Sequence, residues 1–162
     1  MGDSSDFDIL NFTRTRISPQ RLALALRLSR AYCGRKIRAV RVSVALVGEA
    51  RMQRLNRRWR GVDKPTDVLA FPAAPDFNTP RQERIAGEIV IAVPVARRQA
   101  REHGVTLEIE LVRLAVHGFL HLAGFDHEKS KRTAQAMTNA QQHIMELLLI
   151  QRHGAASTHR GH

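Results

Sequence analysis

Between positions 117 and 127 the chain reads His-Gly-Phe-Leu-His-Leu-Ala-Gly-Phe-Asp-His, and this run constrains the fold more than any other. His117 and His121 are four residues apart. On a helix of 3.6 residues per turn they stand above one another on one face. Gly124 comes where such a helix would end and the chain turn back through a left-handed conformation. That turn can bring His127 to the same point. Three neutral imidazoles on one ion leave a fourth tetrahedral position open for water, which is the ligand set of a catalytic zinc site; structural sites close all four positions. Zinc lowers the pKa of bound water from about 15.7 to about 7. A lone histidine on an apolar helix is ordinarily a satisfied core residue. Three at this spacing, followed by a glycine turn, point to metal binding, although imidazole also suits nickel, copper and iron.

The spacing equals that of the metzincin protease motif, which places Glu directly after the first histidine as general base. Here that position is Gly118. A glycine cannot take a proton from water, so a peptidase ranks low. Asp126 is the nearest carboxylate in sequence. It could orient a ligand or help move a proton, or simply cap backbone amides in the turn.

The rest of the chain supplies an α+β frame. Phe7 to Thr13 reads as a short strand. Ser18-Pro19 is a helix start, a capping hydroxyl before a proline already at helical φ, and predicts a helix to about Ala31. Ala39 to Val47 alternates apolar and polar with period two, as a strand does. A helix is expected from Gly48-Glu49 to about Trp59, with Met52, Leu55 and Trp59 on one face and Arg51, Arg54 and Arg58 on another. Strands are expected at Thr66 to Phe71 and Glu88 to Val93, separated by a proline-bearing loop. Helices follow from Pro94 to Gly104, Leu107 to Leu122 and about Lys129 to Ile150. The order predicts one domain over residues 1–151, about four mixed strands covered by about five helices. The tail, 152–162, is expected to be disordered, and His153, His159 and His162 read as tail composition.

Charge narrows the partners. Lys and Arg total 26 against 15 Asp and Glu, a formal charge of +11. That excess steers polyanions, and nucleic acid stands ahead of anionic lipid or an acidic protein. The lone Cys33 excludes an internal disulfide and a four-cysteine zinc site. Met1 to Leu10 is acidic and lacks the basic and apolar regions of a secretory signal, and no apolar run is long enough for a membrane span, so the expected compartment is the cytoplasm.

A second constellation runs from Leu55 to Pro72: Leu-Asn-Arg-Arg-Trp-Arg-Gly-Val-Asp-Lys-Pro-Thr-Asp-Val-Leu-Ala-Phe-Pro. It leaves a helix, passes a basic turn and enters a buried strand. Arginine forks match phosphate oxygens. A solvated helix face accounts for Arg51 and Arg54. Arg60, at the helix-to-turn junction beside Gly61, is better placed to reach into a cleft.

With these residues the chain resembles the YbeY family of bacterial endoribonucleases, also described as ribosomal RNA maturation factors. Asn56, Arg60, Asp63, Pro65-Thr66-Asp67-Val68-Leu69 and Phe71-Pro72 carry the likeness, with Gly87-Glu88-Ile89 and the histidine run, over about Val42 to Met145. The resemblance implies a zinc-dependent, single-strand-specific endoribonuclease acting in 16S ribosomal RNA 3′-end maturation and ribosome quality control. It implies one Zn²⁺ on His117, His121 and His127, Arg60 as an active-cleft residue, and ribosomal RNA and the small ribosomal subunit as partners. The chain departs from the family in its basic charge, in Thr138, Asn139, Ala140 and Gln141 where relatives carry glutamates, and in Phe119 and Phe125. A rival reading is a ribosome-assembly RNA-binding factor with a structural zinc and little hydrolysis of its own.

Overall fold

The computed structural model describes residues 6–34, 41–74, 78 and 85–157, with the backbone alone for 85–86 and 152–157. Among these residues the elements run β1 (Phe7–Asn11), α1 (Pro19–Cys33), β2 (Arg41–Val47), α2 (Glu49–Arg60), β3 (Val68–Pro72), β4 (Ile85–Ala92), α3 (Val93–His103), α4 (Leu107–Leu122) and α5 (Lys131–Ser157). The expected order and the α+β class, four mixed strands with five helices, are what the structure has. Local signals start the helices. Ser18 Oγ accepts from the Arg21 amide at 3.4 Å and opens α1. Thr106 Oγ1 accepts from the Ile109 amide at 3.2 Å and opens α4.

The sheet has the order β1-β2-β4-β3, with β1, β2 and β4 parallel and β3 antiparallel to β4. Val44 pairs with Ile9 on one side and Ile89 on the other. One face carries the larger core, where Val42, Val44, Leu46, Ile89 and Ile91 meet α1, α4 and α5. The other is covered by α2, whose Met52 and Leu55 pack on Ala45, Val47, Leu69 and Val90, with Val95 beside them. Alternation predicts one wet face for β2; instead both faces are buried at its centre, because α2 lies over the second.

Some boundaries differ: β3 is Val68–Pro72 where Thr66 to Phe71 is expected, and β4 is Ile85–Ala92 where Glu88 to Val93 is expected. Ala39 and Val40, expected in β2, lie outside the described residues. Helix α5 continues through Ser157, past the expected stop at Ile150. Of the tail expected to be disordered, 158–162 lie outside the described residues, as do the side chains of 152–157, so His153, His159 and His162 have no place in the structural account. Cys33 is buried.

Helix α4 is the keystone. Leu111, Leu114, Phe119 and Leu120 are almost fully buried, each worth roughly 1.5–3 kcal/mol of transfer free energy. A helix apolar on nearly every side belongs inside a protein. Against that background Arg113, His117 and His121, spaced by four, form a half-buried polar stripe.

Candidate metal centre

The stripe is held from below. Glu110 is fully buried and accepts from Arg113 Nε at 3.1 Å and faces His103 Nδ1 at 3.2 Å. Burial alone would raise its pKa. The hydrogen bonds from Arg113 and His103 outweigh that and hold it below the ordinary 4.5. The ion network fixes the rotation of α4 one turn below His117.

His117 and His121 then project side by side, their Nε2 atoms 3.2 Å apart. After α4, Gly124 takes φ +92°, and the Phe125 amide donates to Leu120 O at 3.0 Å. This closes the turn that the glycine suggested and returns the chain to His127. Its ring centroid lies 5.7 Å from that of His117 and 5.2 Å from that of His121. One ligand nitrogen from each ring falls within 4.8 Å of the others, so the three histidines could hold a metal ion.

Two of the three donors stand at the spacing of ligands to one small ion such as zinc. Two nitrogens at about 2.05 Å from a tetrahedral ion stand about 3.3 Å apart, close to the observed 3.2 Å. His117 Nδ1 faces Gln141 Oε1 at 3.0 Å. Because the amide oxygen only accepts, Nδ1 carries the proton and Nε2 keeps its lone pair for a ligand. Burial pushes the pKa of both His117 and His121 below 6.5, further helped at His121 by its histidine neighbours. Both rings are therefore held neutral, the form that binds metal.

The cleft above these nitrogens has a volume of about 640 Å³. Arg60 lines it together with His117, His121 and His127, so tertiary structure gathers every candidate residue of the sequence reading into one hollow. Gly61 at φ +69° ends α2 beside it. Asp126 also lines the cleft, but its Oδ1 accepts from the Glu128 amide at 2.8 Å. The simpler reading of Asp126, a turn carboxylate, is the one the geometry supports.

Residues without a role in the sequence reading appear as well. Asp67 accepts from the Val68 amide at 2.8 Å and from Gln99 Nε2 at 3.1 Å, bracing the strand that forms the far wall. Gln141 lies 24 residues from His117; no local spacing points to it. At Gly118 a Cβ would come within 2.7 Å of Ile89 Cγ2. The glycine is there because α4 lies hard against β4, which explains the missing metzincin glutamate as a packing requirement.

Comparisons with known proteins agree with this geometry. A family model described as Endoribonuclease YbeY matches residues 15–149. The Endoribonuclease YbeY of Persephonella marina is 45% identical over 108 residues, which cover 66% of this chain and 69% of that one. Its namesake from Sulfurihydrogenibium sp. is 43% identical over 109 residues, covering 67% and 70%. The solution structure of TM1509 from Thermotoga maritima aligns with a TM-score of 0.61 at 30% identity, over 96% of this chain and 99% of that one.

Proposed function

Because the chain belongs to the YbeY endoribonuclease family, we propose that it is a zinc-dependent endoribonuclease that cuts single-stranded RNA during ribosomal RNA processing. The observation that carries the reading is the convergence of three histidine nitrogens within 4.8 Å at the base of a cleft that Arg60 also lines.

His117, His121 and His127 would hold the ion. A zinc ion there supplies Lewis acidity and a source of acidified water at neutral pH. The chain's own residues do the rest. Gln141 keeps the His117 proton on Nδ1 and turns Nε2 toward the cleft. Burial keeps His117 and His121 neutral. Arg60 binds the scissile phosphate and stabilises the charge that grows on its oxygens as the phosphodiester is attacked. Asp67 and Asp126 accept from backbone amides, and the exposed Glu128 also lines the cleft, 3.9 Å from His127 Nε2. Among the described residues no helix is long and apolar enough to cross a membrane, consistent with work on ribosomal RNA of the small subunit in the cytoplasm.

The test is cleavage of a single-stranded ribosomal RNA fragment by the intact protein, His121→Ala and Arg60→Ala, with metal content measured on each. The expected result is metal lost only from His121→Ala, cleavage at background in that variant, and a loss of about 100-fold or more in Arg60→Ala. Equal cleavage by all three preparations would sink the nuclease reading. Bound metal without any cleavage by the intact protein would leave an RNA-binding assembly factor in its place.

A further inference from the structure

Trp59 is the only tryptophan of the sequence. Its spacing from Met52 and Leu55 marks it for the core, and Met52 is indeed buried and Leu55 half-buried. Trp59 is nonetheless 61% exposed. The apolar face of α2 meets the sheet in its first turns and leaves it in its last. Exposing a tryptophan gives up a large apolar surface, so its position calls for a partner.

The surroundings say which one. Trp59 sits against Phe71 with ring centroids 5.9 Å apart at 59°. Together with Pro72 these rings form the partition between two hollows. On one side is the histidine cleft. On the other is a second hollow of about 370 Å³ between α2 and the sheet, floored by Ala45 and Val90. Arg51 and Glu88 line it as well. Glu88 pairs in register with Phe71, so the two side chains rise from the same face of the sheet. It is exposed, and among the described residues no cationic group lies within 4.0 Å of it. In the Gly87-Glu88-Ile89 motif, Gly87 lies close against Leu122 and Ile89 against Gly118, both on the helix of the metal centre, whereas Glu88 has no part there and still needs an explanation. Outside, α2 presents Arg54 and Arg58, with no described carboxylate in ion-pair range, and the Arg58 guanidinium lies over the Trp59 ring at 5.4 Å from its centroid, a contact that a stacked base would exchange for its own.

We propose that the hollow beneath α2 is a nucleobase subsite: single-stranded RNA lying in the histidine cleft lays one unpaired base on Trp59, its edge toward Glu88, with the flanking phosphates along Arg54 and Arg58. The inference rests on the RNA reading above. Its chemistry is selective. A carboxylate accepts hydrogen bonds from the N–H groups of a base edge and repels a phosphate. Glu88 therefore favours a base edge within the hollow, where Arg51 also stands, and the arginines outside take the backbone. Aromatic stacking accepts any base through its π-face, which suits a strand read for being single rather than for its sequence.

The single tryptophan makes the test direct. The full-length protein is titrated with a short 2′-O-methyl single-stranded oligonucleotide, checked for integrity afterwards, and with an abasic oligonucleotide of equal length. Tryptophan emission reports stacking, and anisotropy of a labelled strand reports affinity. The base-bearing strand is expected to quench emission saturably and the abasic strand to leave it unchanged. Trp59→Ala weakens the base-bearing strand about tenfold and leaves the abasic strand alone. Trp59→Phe retains most of the affinity, and Glu88→Ala weakens only the base-bearing strand. Thermal melts by circular dichroism establish that each variant is folded. Binding with unchanged emission, or equal weakening of both strands by Trp59→Ala, overturns the subsite. If the intact protein cleaves RNA while emission stays constant, the subsite alone falls. If neither strand binds and no RNA is cut, the nuclease reading falls with it.

Discussion

The two helices that border the histidine cleft are built on opposite principles. Helix α4 is buried along most of its length, and its polar stripe is braced at Arg113 and at His117: Glu110 on Arg113 and His103, Gln141 on His117. Helix α2 buries only Met52 and Asn56 and turns a row of arginines outward. Elsewhere several basic residues are answered, as in Arg21–Glu108, Arg30–Asp6 and Arg41–Asp8, at 2.7–2.8 Å. On α2 the opening Glu49 pairs with Arg98 at 2.8 Å, but among the described residues the one arginine of the helix with an ion-pair partner is Arg57, at a loose 3.9 Å from Asp63. The difference teaches what each ligand demands. A metal ion needs donors held to fractions of an ångström, and burial supplies that. A polyanion needs charge that can move to meet it, and exposure supplies that.

The comparison can be broken at α4 first. Replacing Gln141 with Leu keeps the bulk near His117 and removes the acceptor from Nδ1. Metal affinity, read by competition with a chelator, is expected to fall about 10- to 100-fold. An unchanged affinity would mean that α4 alone orients the ring. Next comes Gly118→Ala. Its Cβ would press on Ile89 Cγ2 at 2.7 Å, an overpacking of about 1–3 kcal/mol. The melting temperature should drop by about 2–4 °C for each kcal/mol, and trimming Ile89 to Val should restore part of it.

Glu110→Gln probes the brace through pH. The Glu110 pKa is held below 4.5 in the folded protein, so its charge stabilises the fold above its unfolded pKa. That contribution is lost as pH falls through the lowered folded value. At pH 7 the variant should be less stable by about 1.5 kcal/mol. Chemical denaturation at decreasing pH should see the gap close below about pH 4. A gap that persists in acid would assign the loss to packing rather than charge.

The smallest effect on the fold is expected at α2. Arg51, Arg54 and Arg58 changed together to Gln should leave stability within about 0.5 kcal/mol. The slope of log binding constant for single-stranded RNA against log salt should shrink by about 2, since each phosphate left without its arginine removes roughly 0.7. A large stability loss would contradict the division between the walls.

Much of this was legible in the residues. Period and caps located every element of the fold, and the 117–127 run carried its own geometry, because two histidines four apart share a helix face wherever that helix is put. The glycine that turns the chain toward His127 is equally local. The exposure of Trp59 was not legible, since its spacing from Met52 and Leu55 is that of a buried residue. Nor was Gln141, which comes from another helix.

The chain by itself thus determined which side chains share a face, where helices start and turn, and that three imidazoles can converge. Tertiary structure decided what stands opposite each face: Ile89 against Gly118, Gln141 against His117, Arg60 in one cleft with the histidines, and Phe71 beside an exposed Trp59. The physical reason is that periodicity is a property of one helix and its own backbone hydrogen bonds. The occupant of the facing space is chosen by packing among segments distant in sequence, about which a local pattern carries no information.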